Sequence, residues 1–270
     1  MTNREGPKSL TLQKIRERLF ATVVPDAGLL EMLGRDARAG ARELRRQALR
    51  RIARDRAEAE RLQMLYGYER ALEAAGCGPV AGTDEAGRGP LAGPVVAAAV
   101  VLGRGAVLPE LKDSKQLTSA ARSRLVDEIR ARAHSWGIGI ADAGEIDRMN
   151  ILCAGLLAMR RALEGLSLVP GWVLVDGTFT VSHFPASQTA LVKGEQVSAS
   201  VAAASILAKV YRDELMLRMH HLYPEYGFDR HKGYPTPEHY RALERYGPCA
   251  LHRVSFLRPL SRQAGLKPTP

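Results

Sequence analysis

The sequence predicts an α/β fold, a mixed sheet with helices on both faces. Three observations predict it. Short apolar runs, about four to eight residues long, recur between residues 79 and 193. Segments with a helical period alternate with them. Several of the runs end on an acid or a glycine-rich turn, as strand ends do.

The elements follow in order. Residues 79–84, "PVAGTD", and 95–102, "VVAAAVVL", are apolar enough to be buried strands, joined by a glycine-rich turn. "TSAARSRLVDEIRARA" (118–133) predicts a helix capped by Thr118. "WGIGIAD" (136–142) predicts a third strand, and residues 143–166 one long helix. "WVLVD" (172–176) and "TALVK" (189–193) predict two further strands with no clear helix between them. That gap fits a simple doubly wound sheet poorly. Residues 200–222 and 236–247 predict helices, the latter with Thr236 as cap and Pro237 at its first position.

Residues 1–72 have a different texture. They hold 16 Lys+Arg against 10 Asp+Glu, a net of +6, concentrated in 35–56. There Ala41, Leu44, Ala48 and Ile52 recur at helical spacing, a thin apolar stripe on a basic helix. Its arginines are able to neutralise phosphates, and a solvated charged helix is the other reading. The domains expected are a basic helical extension (1–72), a core (73–222) and a C-terminal helical segment with its tail (223–270).

The whole chain of 270 residues carries a formal charge of +10, which favours a polyanionic partner, nucleic acid before membrane. Cys77, Cys153 and Cys249 are distant, odd in number and form no CxxC pair. They argue against a disulfide framework or a zinc ribbon, and for a reducing, cytoplasmic setting. No secretory signal is readable, and no apolar run approaches the roughly twenty residues that span a bilayer.

The chemistry lies in acids at strand ends. Asp84 and Glu85 close the first predicted strand, Asp176 closes "WVLVD", and Glu195 follows "TALVK". Ligands bind where strand ends converge on one edge of an α/β sheet. Four carboxylates sharing a site repel one another unless cations join them. Two Mg²⁺-type ions suit hard oxygen ligands, and a pair of ions supports phosphodiester hydrolysis. Taken singly, each acid is also an ordinary surface carboxylate. Asp113, Asp142, Asp147 and Asp213 are rival acids, with Asp213 expected to pair locally with Lys209 or Arg212. Gly87, Gly89 and Gly93 let backbone approach a bulky ligand, although no GK[ST] marks a Walker loop.

These motifs resemble a family. "GTDEAGRGPLAGP" (82–94), "DSK" (113–115), "LVDG" (174–177), "VKGE" (192–195), "AAASILAKVYRD" (202–213), "YGFDRHKGYPTPEH" (226–239) and "GPCALHRVSF" (247–256) run in the order found in bacterial ribonuclease HII. The resemblance spans about 79–260 and leaves the extension outside it, although some members carry a helical extension.

The resemblance implies a ribonuclease H-like mixed five-stranded sheet flanked by helices. It implies endonucleolytic cleavage of RNA in RNA–DNA hybrids, and a cut 5′ to single ribonucleotides in duplex DNA, leaving 3′-hydroxyl and 5′-phosphate ends. Primer removal and ribonucleotide excision repair are the implied roles, with two Mn²⁺ or Mg²⁺ ions as cofactor and a monomer as the working form. By motif, Asp84, Glu85 and Asp176 match three metal-binding carboxylates. Glu195 stands where the family pattern has Asp, one methylene shorter, with Asp213 as the alternative. Gly87, Arg88 and Gly89 match a backbone clamp on the 2′-hydroxyl, the group that separates RNA from DNA. Tyr234 in "HKGY" matches a tyrosine that stacks on the sugar at the junction. Lys115 and Lys193 are phosphate-binding candidates. His231, His239 and His252 fall in matching blocks with no chemistry assigned. Two other classes compete: a binding protein without catalysis, and a resolvase- or integrase-type nuclease. The intact set of acids disfavours the first, and the GRG and HKGY blocks disfavour the second.

Overall fold

The computed structural model describes residues 10–22, 24–112, 114 and 117–257. The chain divides into two compact units, Met1–Met64 and Leu65–Pro270.

The first unit is helical. Helix α1 (Leu12–Phe20) is capped by the Thr11 side chain and α2 (Ala27–Gly34) by Asp26. Helix α3 (Ala39–Leu65) contains most of the basic stretch, from Ala39 on. Ile15, Leu19, Leu29, Leu33, Ala41, Leu44 and Ala48 form its core. The apolar stripe of α3 therefore turns inward, with Ile52 half-buried beyond it.

The second unit opens with α4 (Gly67–Ala74) and is built on a mixed five-stranded sheet. The strands are β1 (Val80–Ala86), β2 (Val95–Leu102), β3 (Ala133–Ala141), β4 (Trp172–Asp176) and β5 (Ser187–Leu191), in the spatial order β3-β2-β1-β4-β5. The first three form an antiparallel meander, while β4 and β5 run parallel to β1. A short turn joins β1 to β2 and suits antiparallel pairing, whereas β2 reaches β3 through residues 103–132, which include a helix. No helix separates β4 from β5; residues 177–186 make the crossover as loop.

Helix α5 (Ser119–Arg132) runs directly into β3. The stretch 143–166, expected to be one helix, is two: α6 (Ala143–Met149) and α7 (Ile151–Glu164). Asn150 breaks it at φ 76°, and its side chain accepts from the Leu152 and Cys153 N–H groups to start α7. Helix α7 covers one face of the sheet, with Ala154, Ala158 and Ala162 against Ala81, Ala97 and Ala99. Helix α8 (Ala199–Leu222) covers the other, where Val201 meets Val80 and Leu174. Helices α9 (Phe228–His231) and α10 (Pro237–Tyr246) follow, and the aromatic cluster around them packs on Met216 of α8. No helix among the described residues is long and apolar enough to cross a membrane.

Candidate active site

Strand alternation sends neighbouring residues to opposite faces of a sheet. In β1 this separates the two adjacent acids. Asp84 shares its face with Gly82, and a Cβ at Gly82 would fall 2.2 Å from the Val201 nitrogen of α8. Glu85 turns to the α7 face, where a Cβ on Gly155 would lie 3.9 Å from its Cγ. Asp176 ends β4, the parallel neighbour of β1, one residue past the Thr83–Val175 pair and thus level with Asp84.

The three acids repel one another. Asp84 is buried. Burial first, then the charges of Glu85 and Asp176, raise its pKa well above the carboxylate range. The Ser205 hydroxyl and the Glu85 N–H oppose that rise, the latter at 2.7 Å. None of these groups is a cation. Burial also raises Glu85, opposed by Arg88, whose Nη1 lies 3.2 Å from Glu85 Oε1, and reinforced by Asp176.

The fourth acid arrives differently from the sequence prediction. β5 spans 187–191, so Glu195 lies not just past a strand end but in a single 3-10 turn, Gly194–Gln196. Lys193 begins that turn in the left-handed region and is exposed. The Gly194 N–H donates to Asp176 Oδ1 at 2.7 Å, which brings the turn to Asp176. Glu195 is buried. Asp213 is engaged elsewhere: Lys209 Nζ meets its Oδ1 at 2.7 Å. Its other expected partner, Arg212, points away into the glycine loop. Asp113 and Lys115 lie outside the described residues, while Ser114 Oγ meets Ser205 Oγ at 3.1 Å.

Among the described residues, no three His, Cys, Asp or Glu side chains are gathered closely enough to chelate an ion as they stand. The donor chemistry nevertheless fits a hard divalent cation. The set is all carboxylate, and Asp84 is buried beside two like charges, a state that a bound cation relieves.

The loop after β1 is held by two fully buried arginines. Arg212 donates to the carbonyls of Pro94, Ala92 and Lys232. Arg253 donates to those of Gly93, Arg88 and Gly87. Gly87 sits at φ +96°, and a Cβ there would fall 2.1 Å from Arg212 Nε. In a trans peptide plane the C=O and the following N–H point opposite ways. With the Gly87 and Arg88 carbonyls turned to Arg253, the N–H groups of Arg88 and Gly89 face away from it. Tyr234 stands beside this loop: a Cβ on Gly89 would lie 4.0 Å from its ring. Lys209 Nζ and Arg212 Cζ each lie 5.6 Å from the ring centroid.

A cavity of about 250 Å³ opens next to the acids. Glu85, Arg88, Asp176, Leu152, Leu156 and Phe179 are among the residues that line it. His231, His239 and His252 are buried, and the His239 ring contacts both of the others.

Sequence reasoning missed Arg212, Arg253 and Ser205. Both arginines lie inside the quoted blocks, yet arginine is ordinarily a surface residue and its spacing carries no burial signal.

Comparison with known proteins adds the family. A sequence model described as Ribonuclease HII matches residues 81–259, and one described as Ribonuclease HII N-terminal domain matches 11–73. The chain is 52% identical over 249 residues to the ribonuclease HII of Pelotomaculum thermopropionicum, covering 92% of this chain and 93% of that one. Among solved structures it is similar to the ribonuclease H2 of Pyrococcus horikoshii OT3, with a TM-score of 0.58 and 27% identity over 70% of this chain and 99% of that one. Bst-RNase HIII, solved in complex with Mn²⁺, shares the fold at a TM-score of 0.53 and 22% identity, covering 73% of each chain.

Proposed function

The chain belongs to the ribonuclease HII family, which makes it a ribonuclease H and an endonuclease of RNA–DNA hybrids, and from that premise we propose how its residues divide the work. Asp84, Glu85, Asp176 and Glu195 hold two divalent ions, Mn²⁺ or Mg²⁺. The substrates are RNA–DNA hybrids and DNA duplexes with embedded ribonucleotides. The cut falls 5′ to the ribonucleotide and leaves 3′-hydroxyl and 5′-phosphate ends. Primer removal and ribonucleotide excision repair in the cytoplasm are the roles that suit this chemistry, with the chain acting as a monomer.

One observation carries the reading. Three mutually repelling carboxylates lie at one end of the sheet beside a loop whose N–H groups are oriented by a buried arginine. Bound divalent ions supply stabilisation of the charge that develops on the scissile phosphate. The chain's own residues do the rest. Asp84 and Asp176 present oxygens from adjacent parallel strands, so the sheet fixes their separation. Gly194 orients Asp176 by its N–H bond. The N–H groups of Arg88 and Gly89 offer donors to a 2′-hydroxyl or a phosphate oxygen. The Tyr234 ring offers a flat face to the sugar next to them. Lys193, and Lys115 beyond the described residues, suit phosphate contacts.

The test is a DNA duplex with one embedded ribonucleotide, incubated with Mg²⁺ or Mn²⁺, wild type beside Asp84→Asn. A single cut 5′ to the ribonucleotide, absent from the variant and from all-DNA duplex, is the expected result. Cleavage indifferent to the 2′-hydroxyl would overturn the substrate assignment in favour of a resolvase-type nuclease.

A further inference from the structure

Glu69 lies in α4, ahead of the strands that carry the proposed ligands, and is 6% exposed. Its Oε1 accepts from the Ser198 hydroxyl at 2.6 Å, the Ser200 N–H at 2.9 Å and the Ser200 hydroxyl at 2.6 Å. Its Oε2 is buried without a hydrogen-bond partner among the described residues. The three donors belong to the start of α8. Ser198 is the cap residue, whose hydroxyl oxygen also accepts from the Val201 N–H, and Ser200 lies in the first turn. A carboxylate at this end meets unsatisfied N–H groups and the positive end of the helix dipole.

The bonds continue toward the acids. The Ser198 N–H donates to the Gly194 carbonyl at 2.9 Å. The Gly194 N–H donates to Asp176 Oδ1 at 2.7 Å. Residues 194–198, which contain Glu195, are thus tied at one end to Asp176 and at the other to Glu69. The start of α8 has little freedom to shift otherwise. A Cβ at Gly82 would fall 2.3 Å from the Ser200 carbonyl carbon, so this turn rests on the β1 backbone two residues before Asp84.

We infer that Glu69 is a positioning residue for the reaction: by fixing the Ser198–Ser200 turn it sets the Glu195 turn and the orientation of Asp176. This rests on the reading that those carboxylates hold the metal ions. It also gives a catalytic purpose to a segment outside the 81–259 match, since Glu69 falls within the 11–73 match. A helix cap acting only on stability is the competing account.

The experiment compares full-length wild type, Glu69→Ala and Glu69→Gln. Three quantities are read: the melting temperature without metal, Mn²⁺ affinity by calorimetry, and kcat and KM on the ribonucleotide-containing duplex well below the lowest melting temperature. Groups that orient metal ligands are worth about 10–100-fold in metal affinity or activity. Glu69→Ala is expected to lose about tenfold in both Mn²⁺ affinity and kcat with KM little changed. Glu69→Gln keeps the Oε1 acceptor and is expected to recover most of both. A Glu69→Ala chain that melts lower but binds Mn²⁺ and turns over like wild type overturns the inference in favour of capping alone. Should Glu69→Ala not fold, Glu69→Asp withdraws the acceptor by one methylene and decides the matter: weakened Mn²⁺ binding supports the inference and wild-type binding overturns it. A wild type that neither binds Mn²⁺ nor cleaves would instead remove the site reading itself, and the inference with it.

Discussion

Arg253 Nη2 donates to the Gly87 carbonyl at 2.6 Å across 166 positions of sequence. The same guanidinium holds the Arg88 and Gly93 carbonyls, so one side chain near the C-terminal end shapes the loop beside the acids. Burial lowers its pKa to about 9, which leaves it charged at neutral pH. The planar fork suits three carbonyls, whereas lysine offers a single ammonium. Arg253→Lys is therefore expected to leave buried carbonyls unpartnered, at about 1–3 kcal/mol each. Denaturant melts are expected to show a loss of about 3 kcal/mol, and cleavage of the ribonucleotide substrate to fall at least about tenfold, since 1.36 kcal/mol in the barrier is tenfold in rate. Unchanged stability and cleavage would mean that the loop holds its own shape.

Asp84 illustrates a site that works against its own stability. Its carboxylate is buried beside Glu85 and Asp176, which raises its pKa. Asp84→Asn removes a charge while keeping size, so the metal-free melting temperature is expected to hold or rise. Metal ions contribute several kcal/mol of transition-state stabilisation, and losing about 4 kcal/mol slows a reaction about 1000-fold. Cleavage by Asp84→Asn is expected to fall by about that factor. Added Mn²⁺ is expected to raise the melting temperature of wild type but not of the variant. A variant that is less stable without metal would show that Asp84 supports the fold.

How far the fold was legible depends on the segment. The apolar runs show four of the five strands almost in place: β2 and β4 because burial on both faces leaves an unbroken apolar run, and β3 although its burial alternates along the strand. Asp84, Glu85 and Asp176 stood out because acids end those runs. The α6–α7 break did not, because the apolar period continues across Asn150 while a positive φ leaves no mark on hydropathy. The cap preference of asparagine was the available signal. β5 slipped by two residues, since "SQT" is polar and its ladder is supplied by β4. Glu69 and Arg253 were illegible for a shared reason: their partners are hydroxyls and backbone groups on distant segments.

Tyr234 separates stacking from hydrogen bonding. Its ring lies beside Gly89 with the cations of Lys209 and Arg212 each 5.6 Å from its centroid. Tyr234→Phe keeps the face, and Tyr234→Ala removes it. Stacking on an aromatic ring is worth about 1–3 kcal/mol. The Ala variant is expected to lose about tenfold or more in kcat/KM on the single-ribonucleotide duplex, with the Phe variant within about threefold of wild type. Equal losses in the two variants would assign the role to the hydroxyl.

The basic face of α3 makes a prediction about salt. Arg42, Arg46, Arg50 and Arg54 are exposed and recur every four residues. Two of them already have acidic neighbours, Glu43 for Arg46 and Asp55 for Arg54. Each phosphate neutralised adds about 0.9 to the slope of log affinity against log salt. Replacing all four by glutamine is expected to weaken duplex binding and reduce that slope by about 2–4, with the cut position unchanged. An unaltered slope would mean that α3 does not touch the duplex.

The histidines behind the loop predict an acid limit for the fold. The Cys249 N–H donates to His252 Nδ1 at 3.0 Å, which places the His252 proton on Nε2. That proton faces His239 Nε2 at 3.0 Å, leaving His239 Nδ1 to donate to the Tyr234 carbonyl at 3.0 Å. The network is complete only with both rings neutral. Burial lowers both to about 4, helped at His239 by the charge of His231 and at His252 by those of His239 and His231. Unfolded histidine titrates near 6.5, so between these values the unfolded chain binds more protons. Stability is then full above about pH 6.5 and is lost progressively as pH falls toward about 4. His252→Gln removes one titrating ring and is expected to flatten that limb of the melting curve, although it melts lower at pH 7. Acid limbs of equal steepness in wild type and variant would place the acid sensitivity elsewhere. Because Tyr234 and Arg253 lie next to these rings in the chain, cleavage is expected to fade over the same interval before the sheet itself melts, which fluorescence of Trp136 on β3 and Trp172 on β4 and a parallel cleavage assay would separate.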